Sequence, residues 1–252
     1  MSRRGRLRLF LAGAAVFAVV FVLGSFALPP FGGEHHPYGD RSVAAALRQH
    51  TANAIASVNF DQRALDTLGE QSILFSAVLG TVVLLRQTRD ERRTPPEPAR
   101  VSRRIRWFGA LMLPLTLVVG LYIVAHGHLS PGGGFQGGIV VATALHLLYV
   151  AVDYRALEHI RPLGLYRLGD ALGEAGYVIT GLAAMAGGAA FLTNALPLGT
   201  FNTLASGGSV VVLNTAVGME VACGIVVLLA GFLDQAVEIE DGDGALRGTE
   251  RP

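Results

Sequence analysis

The chain has 252 residues, of which 51% are hydrophobic and only 15% charged, with a formal net charge of +1. A soluble domain carries about 25% charged residues; here the charges collect in short blocks between long apolar runs, which is the pattern of a polytopic membrane protein. The small net charge provides no global field for nucleic acid, and the single cysteine, Cys223, excludes an internal disulfide, an Fe–S cluster or a thiolate zinc centre within this chain. Every basic residue is arginine, so no lysine relay exists here. The sequence shows no phosphate loop in a strand–helix context and no nucleophile elbow.

A membrane-crossing helix needs about 20 mostly apolar residues, and six segments qualify. They are Leu7–Leu28, Leu68–Leu85, Ile105–Ala125, Phe135–Val152, Gly173–Leu192 and Gly208–Leu233. The first ends at Pro29-Pro30, and the third contains Pro114, where a kink is expected. Leu7–Leu28 has the basic start and the small-x-small end (Ser25-Phe26-Ala27) of a signal peptide. Its apolar run is longer than the usual h-region, so an uncleaved helix is expected.

Arginine placement sets the expected orientation. The N-terminus carries four, the loop Arg86–Arg106 eight and the loop Asp153–Leu172 three. The loops His126–Gly134 and Thr193–Gly207 carry none, and Pro29–Thr67 carries three over a longer stretch. Alternate loops are therefore basic, as six helices with both termini in the cytoplasm require. The fold class expected is all-α, with about six transmembrane helices. Four parts follow: a two-span part at 1–87, an Arg/Pro-rich cytoplasmic linker at 88–102, a four-span domain at 103–233 and an acidic, disordered tail at 234–252.

An ionisable side chain at mid-membrane costs about 2.5–3.5 kcal/mol on insertion scales and faces a bundle or water. Glu220 lies in the middle of the sixth segment among small residues, so a neighbouring helix can approach it closely. It reads either as a proton- or cation-handling carboxylate or as a buried carboxylate tied to a partner for assembly. His146, in the fourth segment, has an ordinary pKa of about 6.5 that suits proton transfer; the plainer reading is a neutral ring hydrogen-bonded to another helix. Thr67 and Glu70 fit the S/T-x-x-E capping box at the start of the second segment. Glu174 opens the fifth, where the helix dipole favours it.

The least ordinary run is His126-Gly127-His128-Leu129-Ser130-Pro131-Gly132-Gly133-Gly134-Phe135-Gln136-Gly137-Gly138. Pro131 and the glycines after it cannot continue a helix, so the third and fourth segments form an antiparallel pair. Gly137 and Gly138 fall in the first turn of the fourth, where close backbone packing tolerates them. The run reads as a tight turn docking on another subunit, or as exposed backbone near an ion path. His126 and His128 alone do not make a metal site.

This glycine run resembles the MnhB/MrpB-type component of multisubunit Mrp/Mnh sodium/proton antiporters. So do Phe191-Leu192-Thr193-Asn194 and Leu213-Asn214-Thr215-Ala216-Val217-Gly218-Met219-Glu220-Val221, which also resemble membrane-bound hydrogenase relatives. The resemblance covers about Arg103–Leu233. The stretch Val58-Asn59-Phe60-Asp61-Gln62-Arg63-Ala64-Leu65-Asp66-Thr67-Leu68-Gly69-Glu70 is similar to the C-terminal end of the large A-type component of those antiporters. The chain then reads as a fusion of two antiporter pieces joined at the linker.

The resemblance implies a non-catalytic subunit in a complex exchanging Na+ for H+, with A-, C- and D-type partners, in the inner (plasma) membrane. It implies no cofactor and no metal. Glu70 and Asp66 map onto the acidic motif of the A-type C-terminal region; with His146 and Glu220 they are the expected ion-pathway positions. Pro131, Gly132, Gly133, Gly134, Gly137 and Gly138 form the expected structural loop. The alternatives are a membrane-arm subunit of a hydrogenase or complex I-like redox pump, and a purely structural assembly subunit.

Overall fold

In the computed structural model, residues 3–28, 36–85, 102–151 and 162–233 are described. Among them every regular element is a helix, with no β-strand. The expected linker, apart from Ser102, and the acidic tail lie outside the described residues, as do all the arginines from Arg86 to Arg100.

The chain divides into two compact units, residues 1–41 and 42–252. The first holds α1 (Arg3–Phe26), a helix apolar on every side. Its large side chains, among them Phe10, Phe17 and Phe21, are all exposed; a helix without a polar face suits lipid or a partner rather than water. The division falls within α2 (Pro37–Arg48), which the hydropathy pattern does not single out. Pro37 occupies the first position, where no amide bond is lost, and Asp40 and Arg48 complement the helix dipole at its two ends.

The second unit begins its packed core at α3 (Ala54–Ser57), capped by the Asn53 side chain accepting from the Ile55 and Ala56 amides at 3.0 and 3.4 Å. A π-helical turn, Val58–Gln62, follows directly and buries Phe60. Arg63 breaks the turn at φ −135° and α4 runs from Ala64 to Leu84. This overturns the capping box. Thr67 lies one turn inside α4, where its hydroxyl donates to the Asn59 carbonyl at 2.8 Å, a group that the π turn leaves within reach.

Next come α5 (Arg103–Ala125), α6 (Gly134–Ala151), α7 (Leu163–Ala186) and α8 (Ser209–Leu233). Pro114 sits inside α5 without ending it. The fifth expected segment is displaced: α7 begins ten residues before Gly173, after Pro162, and ends at Gly187 and Gly188 (φ +85°). Arg167, Asp170 and Glu174 lower the hydropathy of its first half and hide it from an apolar-run criterion. Glu174 is therefore in mid-helix, not at a helix start. Among the described residues four helices are long and apolar enough to cross a membrane: α1, α4, α5 and α8, with a shorter apolar stretch in α6.

Close contacts fix the helix directions within the second unit. Gly120 of α5 abuts Gly137 and Val141 of α6, and Gly137 in turn abuts Val124, so α5 and α6 are antiparallel. Gly134 and Gly138 of α6 meet Gly218 and Val221 of α8 in parallel register. Gly169 and Gly173 of α7 meet Cys223 and Glu220 of α8 in antiparallel register. Along α4, Gln71 meets Glu220, and Val78 approaches Gly224, a parallel pairing. Thus α4, α6 and α8 run one way and α5 and α7 the other, as alternating spans must. The most buried helix is α8, packed against α4, α5, α6 and α7. Small residues at Ala216, Gly218 and Gly224 let its neighbours reach the backbone. The core joins Phe60, Tyr177, Leu213, Val217 and Val221.

Candidate functional site

Two polar regions distinguish the second unit. The first is the end of the bundle where α5 stops and α6 and α8 begin. Asn214, 1% exposed, accepts from the Gly134 amide at 2.7 Å and donates to the Val124 carbonyl at 2.7 Å. One side chain therefore satisfies an orphan donor at the start of α6 and joins the Gly127 amide, at 3.3 Å, on the last-turn carbonyl of α5. Asn53 holds the glycine run from the other side. Its amide side chain donates to the Gly127 and Ser130 carbonyls, both at 2.8 Å, and its backbone N–H donates to His128 O at 3.0 Å. Asn194 accepts from Ser209 N at 2.7 Å and donates to Gly207 O at 3.1 Å, which caps α8.

Gly132 and Gly133, at φ +132° and +152°, take backbone shapes that L side chains rarely adopt. A Cβ on Gly134 would fall on the Asn214 carbonyl and 2.8 Å from the Gly218 amide. The run thus docks on this chain's own α8 and Asn53. Its Gly127, His128 and Ser130 carbonyls are occupied by Asn53 donors, which argues against bare backbone for ions. Pro131 is exposed at the turn, and Gly137 and Gly138 are buried where α6 crosses α5 and α8.

His128 is fully buried with Nε2 3.2 Å from the Thr203 carbonyl. Burial pushes its pKa below the ordinary imidazole value, against a smaller opposing effect of the Thr203 carbonyl. His126 instead stacks on Tyr122, with ring centroids 4.0 Å apart. Among the described residues no three His, Cys, Asp or Glu side chains could hold a metal ion.

The second region lies halfway along the helices, where α4, α7 and α8 meet. Glu220 is 0% exposed and Gln71 of α4 is 0% exposed; Gln71 Nε2 donates to Glu220 Oε2. On α7, Glu174 Oε1 accepts from Ser72 Oγ at 2.8 Å, and Asp170 is 4% exposed. Gly173 makes room: a Cβ there would lie 2.6 Å from Glu220 Cβ and 2.7 Å from its amide. One oxygen each of Gln71, Asp170, Glu174 and Glu220 is buried without a hydrogen-bonding partner among the described residues.

The expected site residues separate. Glu220 enters this cluster. Glu70 and Asp66 point away from it and are exposed on α4, with Asp66 paired to Arg63, Arg63 Nε donating to its Oδ2 at 2.6 Å. His146 is half-buried on α6, its Nδ1 2.6 Å from the Ala142 carbonyl of its own helix. Asp61, in the π turn, is half-buried, and burial raises its carboxyl above the ordinary range. Gln71, Asp170, Asn53 and Asn214 are absent from the sequence-based expectations. Neutral amides escape a search for ionisable groups, and Asp170 sits in a stretch read as a loop. Glu174 is read there only as a helix-start charge.

Comparison with known proteins agrees with this architecture. A domain family described as related to the MnhB subunit of Na+/H+ antiporter matches residues 105–227, which span α5 to α8. The B-type subunit of the Na+/H+ antiporter of Bacillus subtilis is 35% identical over 81 residues, 32% of this chain and 55% of the relative. This chain thus matches about half the length of that relative. An uncharacterized protein of Methanocaldococcus jannaschii is 29% identical over 202 residues, 69% of this chain and 74% of its own.

Among solved structures, a chain of the membrane-bound sulfane sulfur reductase, an archaeal respiratory membrane complex, superposes with a TM-score of 0.71 at 30% identity. The match covers 91% of this chain and 100% of that one. A chain of the Mrp complex from a Dietzia species has the same fold at a TM-score of 0.66 and 24% identity, the match covering 94% of this chain and 27% of that one. On the family match and these relatives, the chain belongs to the MnhB/MrpB family of membrane subunits.

Proposed function

We propose that this chain is a non-catalytic membrane subunit of a multisubunit monovalent-cation/proton antiporter, with Na+ and H+ as the transported ions. The observation that carries the reading is the family match over residues 105–227, which coincides with the tightly packed α5–α8 bundle. A-, C- and D-type subunits are the partners. The exposed apolar faces of α1 and α5 suit lipid and such partners, because neither helix has a polar side to offer water. The membrane is the plasma membrane, with both termini in the cytoplasm. The arginine-free loops around His128 and Thr203 meet at one end of the bundle, which supports that orientation under the positive-inside rule.

Residues 1–87 and 103–233 are proposed as two antiporter pieces fused through 88–102, with 234–252 as a tail. The match of 94% of this chain to 27% of one Dietzia chain supports a piece that can sit inside a longer polypeptide. In packing, α4 belongs with α7 and α8, so the joint is a boundary of sequence rather than of the bundle. In this reading Glu70 and Asp66 lie on an α4 face open to a partner, and with His146 and Glu220 they are the ion-pathway positions.

A second reading has a specific observation behind it. The sulfane sulfur reductase chain is matched over its whole length, so a membrane-arm subunit of a redox-driven complex is the competing assignment. Copurification with an affinity-tagged chain separates the two. Antiporter-type partners, with Na+-dependent proton movement lost when the chain is deleted, support the first. Recovery of Fe–S subunits, or normal exchange without the chain, overturns it.

A further inference from the structure

We propose that Glu220, Gln71, Glu174 and Asp170 form a proton-exchange site inside this subunit, with Glu220 as the group that takes and releases the proton. The inference rests on the reading of the chain as a subunit of an ion-exchanging complex, and it assigns part of the proton traffic to this chain.

The geometry sets the site apart from a structural ion pair. Glu220 is the twelfth of 25 residues in α8, about 16 Å from the start of that helix at 1.5 Å per residue. Glu174 is the twelfth of 24 in the antiparallel α7, so the two lie near one level. No arginine faces them among the described residues. The charged groups that bear on Glu220 are Glu174 and Asp170, both acidic. Also nearby are Tyr177, whose hydroxyl donates to Ala64 O at 2.9 Å, and Cys223 of α8; Glu70 of α4 lies on the exposed side.

A buried carboxylate without a cationic partner must be neutralised or bonded. Here the neutral amide of Gln71 supplies one donor to Glu220 Oε2 and leaves Glu220 Oε1 open. Gln71 is itself fully buried on a different helix, with its own Oε1 unpartnered among the described residues. A turn of the Gln71 amide about its last bond would exchange Nε2 for Oε1 and give a carboxyl proton on Glu220 a neutral acceptor. An amide that donates to the carboxylate and accepts from the carboxyl stabilises both states, which is what a reversible proton site needs.

The step balances simply. A hydronium ion on one side gives its proton to the Glu220 carboxylate and leaves as water; the carboxyl later returns the proton to a water on the other side, which becomes hydronium. Glu174 and Asp170 flank Glu220 on α7 as further proton acceptors.

The test uses the complete complex in everted membrane vesicles, following Na+-driven collapse of a proton gradient, with the amount of assembled complex measured in parallel. Glu220→Gln keeps the shape and the Gln71 contact. It is expected to assemble normally and to lose exchange at least tenfold, while Glu220→Asp retains exchange with a displaced pH profile. Exchange by E220Q at the wild-type rate and pH profile overturns the proposal and leaves the subunit assignment standing. A changed Na+ dependence with an unchanged pH profile also overturns it, in favour of a cation site. If E220Q does not assemble, Glu174→Gln carries the test with the same expectation. Failure of both to assemble assigns the cluster to structure. Absence of Na+-driven exchange in the wild-type complex instead contradicts the antiporter reading.

Discussion

The two polar regions of the bundle use their buried amide side chains differently. At the loop end, helix termini leave backbone groups without intrahelical partners, and three asparagines supply them. Asn53, Asn194 and Asn214 each use both the oxygen and the nitrogen of the side-chain amide on backbone groups. Midway along the helices the backbone is already satisfied, yet Gln71, Asp170, Glu174 and Glu220 bring in polar atoms that the described residues do not pair. The loop end leaves His128 Nδ1 and Ser206 Oγ without partners among the described residues, but the backbone groups that the asparagines pair hold its shape. A region with open acceptors in a low-dielectric interior is costly unless protons or other ions occupy it. The contrast separates an assembly role from an ion-handling role within a few turns of helix.

The largest effect is expected from breaking the loop end. Asn214→Ala leaves the Gly134 amide buried without a partner, at about 1–3 kcal/mol, and removes the shorter of two bonds to the Val124 carbonyl, which keeps the Gly127 amide at 3.3 Å. It should lower the yield and thermal stability of the assembled complex, as measured by size-exclusion chromatography after a temperature ramp. An unchanged melting profile would show that the loop end is not what holds α5, α6 and α8 together.

A smaller effect is expected from pH. Burial lowers the His128 pKa in the folded state, so the unfolded chain binds that proton more readily. The docked loop is then most stable above about pH 6.5 and weakens as pH falls below it. The protection factors of the Gly127–Ser130 amides, corrected for the intrinsic exchange rate, should fall on acidification in the wild type and lose that dependence in His128→Asn. Equal dependence in both would place the sensitivity elsewhere.

The smallest effect is expected at the rim. Asp66 and Arg63 are paired but more than half exposed, and such pairs contribute about 0–1 kcal/mol. Asp66→Asn should leave the thermal profile of the complex within that range. A larger loss would mean that α4 is buried against a partner at this position.

How much of this was legible in the sequence follows from what each residue costs in lipid. Long apolar runs announced α1, α4, α5 and α8, and the proline and glycines after Ser130 announced the turn into α6. The start of α7 was hidden because Arg167, Asp170 and Glu174 break its apolar run. The capping box failed because Thr67 serves the Asn59 carbonyl exposed by the π turn, and a π turn has no simple residue signature. Glu220 stood out by its charge. Its partner Gln71 did not, since an uncharged amide beside Glu70 looks like the edge of a span. Only the antiparallel register of α7 on α8 and the parallel register of α4 bring these side chains together, and pairing between helices is not written in any one of them.

The most direct test sets Asn214→Ala beside Glu220→Gln in the same vesicles and scores two quantities, the amount of assembled complex and the Na+-driven proton exchange per complex. The account predicts that N214A lowers the amount while each remaining complex exchanges normally, and that E220Q leaves the amount unchanged while exchange per complex collapses. The reverse pattern, or equal loss of both quantities in both variants, would contradict it.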